Sequence, residues 1–315
     1  MTVTASLLLN GLCIAILGPP VLERSTCRFS PGSAILAYSA AMAAVLISCV
    51  AAAVIAGIAL LRSDGHLHWL LTGCFAAAQS LLGTTYGEEI QLGVVGAAVL
   101  TALFLLTRLM IILSRVRSRT HRHCRIAWLI AERTLGTADA LLLETAERCV
   151  YCVAGRPAAI VVTRGALDVL SDRQLAAVLA HERAHLDERH HVLVALSRGA
   201  AAVLPRVRLF REGARAITRL IEMRADDVAL RSHTGTALAG ALLTLSGGPP
   251  LATTALGASS SDVVERVERL LKPSAAERAS TRVQVGVTAA LLLTAPALSL
   301  GLVAAVAPLC QVLLG

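Results

Sequence analysis

The sequence predicts a mainly α, multi-pass membrane protein that carries one α+β domain on the cytoplasmic side. Three observations predict it. Four long apolar stretches are spread over the 315 residues. The chain is 56% hydrophobic, with mean hydropathy +0.69, against roughly 45–50% apolar residues in soluble domains. Between the third and fourth stretches lies a charged interval, residues 114–282, long enough for one domain.

Residues 3–22 form the first span and end at the pair Pro19-Pro20. They lack the basic start and small-residue cleavage site of a signal peptide, so the span is read as retained. Residues 34–61 form the second span, long enough to cross with some tilt. The segment 62–91 holds Asp64, His66, His68, Glu88 and Glu89. Its apolar part, residues 67–82, is too short for an untilted crossing and reads as interfacial or re-entrant. Residues 92–113 form the third span and residues 283–309 the fourth, with Pro296 inside it. The organisation expected is a membrane region over 1–113, a domain over 114–282, and a final span with a short tail over 283–315.

The arginines orient these spans. Arg24 and Arg28 follow the first, and Arg115, Arg117, Arg119, Arg122 and Arg125 follow the third. The positive-inside rule places both regions in the cytoplasm, and the expected location is the plasma membrane. The net charge is +8 and the pI about 9.5. With 3% aromatics and no aromatic-interleaved basic patch, this charge reads as contact with membrane lipids rather than with nucleic acid. Cys13, Cys49 and Cys310 fall in apolar spans and read as small hydrophobes. Cys149 and Cys152 form a single C-x-x-C in a strand, where residues three apart face opposite sides, and read as packing.

Within the domain, residues 140–144, 149–153 and 158–163 read as short strands, with Gly155-Arg156-Pro157 turning the chain. Ser171-Asp172-Arg173-Gln174 is a capping-box helix start. Leu175, Val178, Leu179, Glu182 and Leu186 then follow a helical period. Further helices are expected over 191–204, stopping at Pro205, and over 215–231, 235–245 and 263–271, with loops at 247–250 and 259–261.

The capped helix contains His181-Glu182-Arg183-Ala184-His185. Residues four apart on a helix lie one above the other, so two imidazoles can face one metal ion. Zinc suits imidazole ligands and accepts a tetrahedral site. Glu222, among the apolar Ile217, Leu220 and Ile221, is the expected third ligand. That leaves one open position on one Zn2+ per chain, which is the arrangement of a catalytic site. Glu182 is then placed to take a proton from water and return it to a leaving amine. Asp226, four residues after Glu222, is placed to hydrogen-bond a ligand histidine from behind, His181 being the expected one. Candidate stabilisers of the transition state are Arg189, His190 and His191, with His233 a further candidate. A peptide substrate would lie as an added strand on the segment 158–163. Charges at Asp172, Arg173, Arg183, Asp187 and Glu188 exclude this helix from the hydrocarbon, and with it an intramembrane site.

The runs 159–167, 175–186 and 189–191 resemble the BlaR/MecR-type membrane zinc peptidases. Glu222-Met223-Arg224-Ala225-Asp226-Asp227 is similar to that family's second motif, and Tyr151-Cys152-Val153-Ala154-Gly155 to its strand before the metal helix. The resemblance implies a gluzincin-like, zincin-fold domain in which His181, His185 and Glu222 bind zinc and Glu182 is the base. It implies a protein or peptide substrate, such as a BlaI-type repressor or a membrane protein. The family's β-lactam receptors carry a penicillin-binding sensor after the last span; this sequence stops at Gly315, so a branch without that sensor is expected.

Two other functions fit the same residues. One is membrane-protein quality control or CAAX-like processing by a zinc protease that shares H-E-x-x-H plus E-x-x-x-D. The other is a zinc-binding membrane scaffold or receptor without proteolysis, against which Glu182 argues. The Ala/Gly-rich spans also allow a homo-oligomer of no fixed number.

Overall fold

The computed structural model describes residues 2–26, 30–62, 87–133, 140–247 and 260–272. The expected fourth span, the short apolar stretch 67–82, residues 248–250 of one expected loop and residue 259 of the other lie outside the described residues, while Ser260 and Ser261, expected in that second loop, are helical. Three helices open the chain: α1 (Thr2–Thr26), α2 (Pro31–Arg62) and α3 (Gly87–Ile130). Among the described residues, two stretches are long and apolar enough to cross a membrane, Ser6–Arg24 and Pro31–Ile55.

Several helices differ in extent from those expected: the one expected over 215–231 already starts at Arg208, and two of the opening helices end later than expected. The first helix carries both Pro19 and Pro20 inside it and ends at Thr26. The helix holding the expected third span does not stop at Leu113. It runs for 44 residues, through the arginine-rich stretch to Ile130. No glycine or proline interrupts residues 97–130, and arginine is a good helix former. The hydropathy change at residue 113 therefore does not mark where the helix ends. At about 1.5 Å per residue the helix is about 66 Å long, twice what a bilayer core needs.

The small sheet follows. Its strands are β1 (Glu132–Arg133), β2 (Ala140–Leu143), β3 (Val150–Val153) and β4 (Ala159–Thr163), in the order β1-β2-β4-β3. β2 and β4 are parallel; the other two pairings are antiparallel. β4 is therefore interior, with every residue of its Ala-Ile-Val-Val-Thr run buried. This corrects the expectation that 158–163 offers a free edge. A continuous apolar run belongs to a strand covered on both faces, and the edge beside the later helices is β3. The far end of α3 packs under the β3–β4 turn. There the Trp128 indole N–H donates to the Pro157 carbonyl at 3.1 Å, and a Cβ on Gly155 would stand 2.2 Å from Cys124 Sγ.

The helices after the sheet are α4 (Arg164–Leu167), α5 (Asp172–Asp187), α6 (His190–Val203), α7 (Arg208–Ala229), α8 (Gly235–Ser246) and α9 (Ser260–Leu271). One core joins β4 and α5 to Ala229 of α7 and to α8 and α9. A second joins the apolar opening helices to this region: Ile35, Tyr38, Met42 and Val45 of α2 pack with Leu209, Phe210, Ile217 and Ile221 of α7. Leu209, Phe210 and Ile221 are fully buried there. Burial of each such side chain stabilises by about 1.5–3 kcal/mol. Gly213 permits the close approach, since a Cβ on it would stand 3.0 Å from Met42 Sδ. α6 in turn leans on α3, with Gly199 facing Leu109 and Leu113. α7 is thus held by α2 on one side and by α5 on the other.

Candidate metal centre

Ser171 starts α5 with a complete capping box: its hydroxyl accepts from the Gln174 amide, and the Gln174 side chain accepts from the Ser171 amide. Capping fixes the first turn, and the chain then places His181 and His185 one turn apart on the buried face, each under a tenth exposed. Their Nε2 atoms stand 3.1 Å apart. From α7, Glu222 Oε2 lies 3.6 Å from His181 Nε2 and Oε1 lies 3.7 Å from His185 Nε2.

This triangle fits zinc. Ligand atoms bound at about 2.0–2.1 Å around a tetrahedral zinc stand about 3.4 Å apart. The two imidazole nitrogens stand 3.1 Å apart, and each has its own Glu222 oxygen at 3.6 or 3.7 Å, distances that bracket that value. Two neutral imidazoles and one carboxylate are also a donor set that zinc accepts. His181, His185 and Glu222 form the one such group among the described residues.

Each ligand is held from behind. His181 Nδ1 lies 3.0 Å from Asp226 Oδ1. Asp226 has no exposed surface. It is gripped by Arg266 of α9, Nε donating to Oδ2 at 2.9 Å and Nη2 to Oδ1 at 2.7 Å. Arg266 Nη1 lies 3.2 Å from Glu222 Oε2, so one guanidinium serves both acids. Arg269, one turn on, pairs with Asp227 and donates to the Met223 carbonyl.

The charges follow from this packing. Burial would raise the Glu222 carboxyl, but the contact with His181 and the charges of His181, His185 and Arg266 hold it down at about 2. Burial also opposes ionisation of Asp226, and the Arg266 and His181 contacts again hold it low. For His181, burial disfavours the cation, yet Asp226 and Glu222 overcome that and push its pKa up to about 10. His185 goes the other way, to about 3, through burial and the neighbouring His181 charge. Glu182 differs from Glu222 and Asp226. Burial raises its carboxyl, with His181 and Cys152 offsetting only part. Its Oε2 accepts the backbone N–H of Cys152 on the edge strand β3 at 2.9 Å.

The expected transition-state residues are placed elsewhere. Arg189 and His191 are exposed, and His233 lies in the turn after α7, its amide bonded to the Ala229 carbonyl. His190 is buried, with its Nδ1 3.0 Å from Nδ1 of His185, on the side of that ring away from the triangle. Arg266 was not expected, although the sequence holds a signal for it. Val263, Arg266, Val267 and Leu270 follow the i, i+3, i+4, i+7 spacing of a buried stripe. A charge on such a stripe needs a buried counter-charge.

Residues 150–205 match the profile of peptidase family M48. The match begins at the first residue of β3 and spans the helix that carries both histidines and Glu182; Glu222, Asp226 and Arg266 lie beyond it. No curated protein and no solved structure matches the chain. The matched stretch is similar to the metal-dependent peptidases of family M48 and does not single out the BlaR/MecR type.

Proposed function

We propose that the protein is a membrane-anchored zinc endopeptidase. The observation that carries this reading is the triangle of His181, His185 and Glu222 with the half-buried Glu182, bonded to the Cys152 amide, beside it. His181, His185 and Glu222 would hold the ion, which supplies Lewis acidity to a substrate carbonyl and to the attacking water. Glu182 is the base. A carboxyl raised by burial takes a proton from water and gives it to the leaving amine more readily than an ordinary glutamate. A peptide laid along the outer edge of β3 would bring its backbone to the point where Cys152 meets Glu182.

The two N-terminal apolar helices support membrane association, and the arginines after the first and third spans support a cytoplasmic peptidase domain. The resemblance to BlaR/MecR-type peptidases supports a signalling role, with a repressor or a membrane protein as substrate. The M48 match leaves membrane-protein quality control as a second reading of equal chemistry.

Zinc content and cleavage of casein or of the chain itself, measured on detergent-solubilised wild type and Glu182→Ala, test the proposal. About one zinc per chain in both proteins, with cleavage in the wild type alone, is the expected result. A wild type without zinc, purified without chelators, would overturn it. Zinc in both proteins with equal cleavage would remove Glu182 as the base.

A further inference from the structure

The ring of His185 is bonded on the side away from the triangle. Its Nδ1 lies 3.0 Å from Nδ1 of His190, and Nε2 of His190 lies 3.2 Å from Oε2 of Glu188. Glu188 is gripped by Arg224 of α7, Nε to Oε2 at 2.9 Å and Nη2 to Oε1 at 2.7 Å. His190 is 2% exposed, so its ring faces protein and not a substrate. The two rings meet edge to face, with centroids 4.9 Å apart and planes at 79°.

For a His185 that offers Nε2 to a metal, one set of hydrogens satisfies this chain of contacts. With Nε2 of His185 turned to the triangle as a lone pair, its Nδ1 carries the hydrogen and donates. His190 Nδ1 must then accept, so its own hydrogen sits on Nε2 and points at Glu188. Glu188 accepts from His190 and from Arg224, and no donor faces a donor. Histidines that bind metal through one nitrogen donate the other to a fixed acceptor, which sets tautomer and ring orientation.

The backbone is bent to make this contact. α5 ends at Asp187, and Arg189 takes the left-handed conformation, φ 52°. That turn starts α6 at His190 and folds its first residue back against His185. Arg224 comes from α7 and sits two residues from Glu222. A Cβ on Gly32, in the first turn of α2, would stand 3.8 Å from the Arg224 guanidinium.

We propose that His190 is a positioning residue for the metal ligand His185. It fixes the hydrogen and the plane of that ring, and Glu188 with Arg224 fixes His190 in turn. This rests on the zinc reading above. It gives His185 its own support, separate from the Asp226–Arg266 support of His181.

The test is zinc affinity of the full chain in detergent, by competition with a chromogenic chelator, together with the visible spectrum of the cobalt-substituted protein. His190→Phe keeps shape and removes the acceptor; it is expected to weaken zinc binding by roughly 10–100-fold and to alter the cobalt spectrum. His190→Asn returns an acceptor near the Nδ1 position and is expected to restore most of the affinity. Glu188→Ala, at a half-exposed position that does not endanger folding, is expected to weaken zinc several-fold and serves if His190→Phe fails to fold. Wild-type affinity and spectrum in His190→Phe would overturn the proposal, as would an Asn variant no better than Phe, or unchanged affinity in Glu188→Ala where that variant carries the test. A wild type that binds no zinc would instead sink the zinc reading beneath it.

Discussion

Arg266 grips the buried Asp226 with two hydrogen bonds, 2.9 and 2.7 Å long, from a helix that contributes no other group to the metal triangle. Asp226 in turn stands 3.0 Å from His181. The most distant described helix in the chain thereby sets the ring of a residue 85 positions earlier (266 − 181).

Breaking that pair from one side should cost far more than removing it whole. Arg266→Met leaves the Asp226 carboxylate, which has no exposed surface, with His181 as its remaining charged partner. A loss approaching the about 3–5 kcal/mol typical of a buried pair broken from one side is expected, reduced by the contact with His181 that remains. Adding Asp226→Leu should recover a large part of it, because the stranded charge is gone. Both variants should bind zinc more weakly than the wild type, since His181 loses its support. Thermal melts in detergent give the first comparison and zinc titration the second. A single variant as stable as the double would show that the pair carries no buried charge.

The metal-stripped protein should be most stable near pH 6.5. His181 has a folded pKa of about 10, above its unfolded value. Its contribution is therefore complete below about 6.5 and is lost as pH rises towards 10. His185, at about 3, is depressed. It is neutral in the fold and charges on unfolding, so stability falls as pH drops from about 6.5 towards 3. Glu222, also depressed, adds a loss below about 4.5. Zinc must displace the His181 proton, so affinity should strengthen with pH up to about 10, with proton release. Melting midpoints against pH, and calorimetric zinc titrations in buffers of different ionisation heat, test both statements.

The metal helix was legible because its signals are local. The capping box at Ser171 and Gln174, the histidines four apart and the Glu222–Asp226 spacing each need only one helix to be read. Glu222 carried a further sign, an acid among Ile217, Leu220 and Ile221. What escaped depends on which elements meet. Arg266 lies 40 residues beyond Asp226, and only the packing of α9 on α7 joins them. The His190 contact required the left-handed turn at Arg189, which no residue type there announces, since glycine or asparagine would be the usual sign. The length of α3 was hidden by reading hydropathy as helix extent. The position of β3 as the edge followed from strand order, which alternation within single strands does not contain.

Glu182→Gln should make the protein more stable and inactive. Burial raises the Glu182 carboxyl, so keeping it charged at neutral pH works against folding. A neutral isostere removes that opposition and still reaches the Cys152 amide. The melting temperature should rise, while cleavage falls by about 100- to 10,000-fold for loss of a general base. Zinc content should be unchanged. A lower melting temperature would show that the charge is favourably held, which would place the Glu182 carboxyl low and weaken its case as the base.

The peptidase helices should not fold apart from the first two helices. Phe210 has no exposed surface and sits between α7 and α2. Removing α1 and α2 would expose Leu209, Phe210, Ile217 and Ile221 together on the helix that carries Glu222. Phe210→Ala, in the full chain, leaves a cavity and should cost about 3–5 kcal/mol. It should also weaken zinc binding, because the cavity lies three turns from Glu222 on the same helix. A fragment beginning at residue 114 should aggregate or bind zinc poorly, whereas the full chain stays dispersed in detergent. Size-exclusion profiles and zinc stoichiometry of the fragment decide the point. A monodisperse fragment with one zinc would show that the packing of α2 on α7 adds stability without building the site.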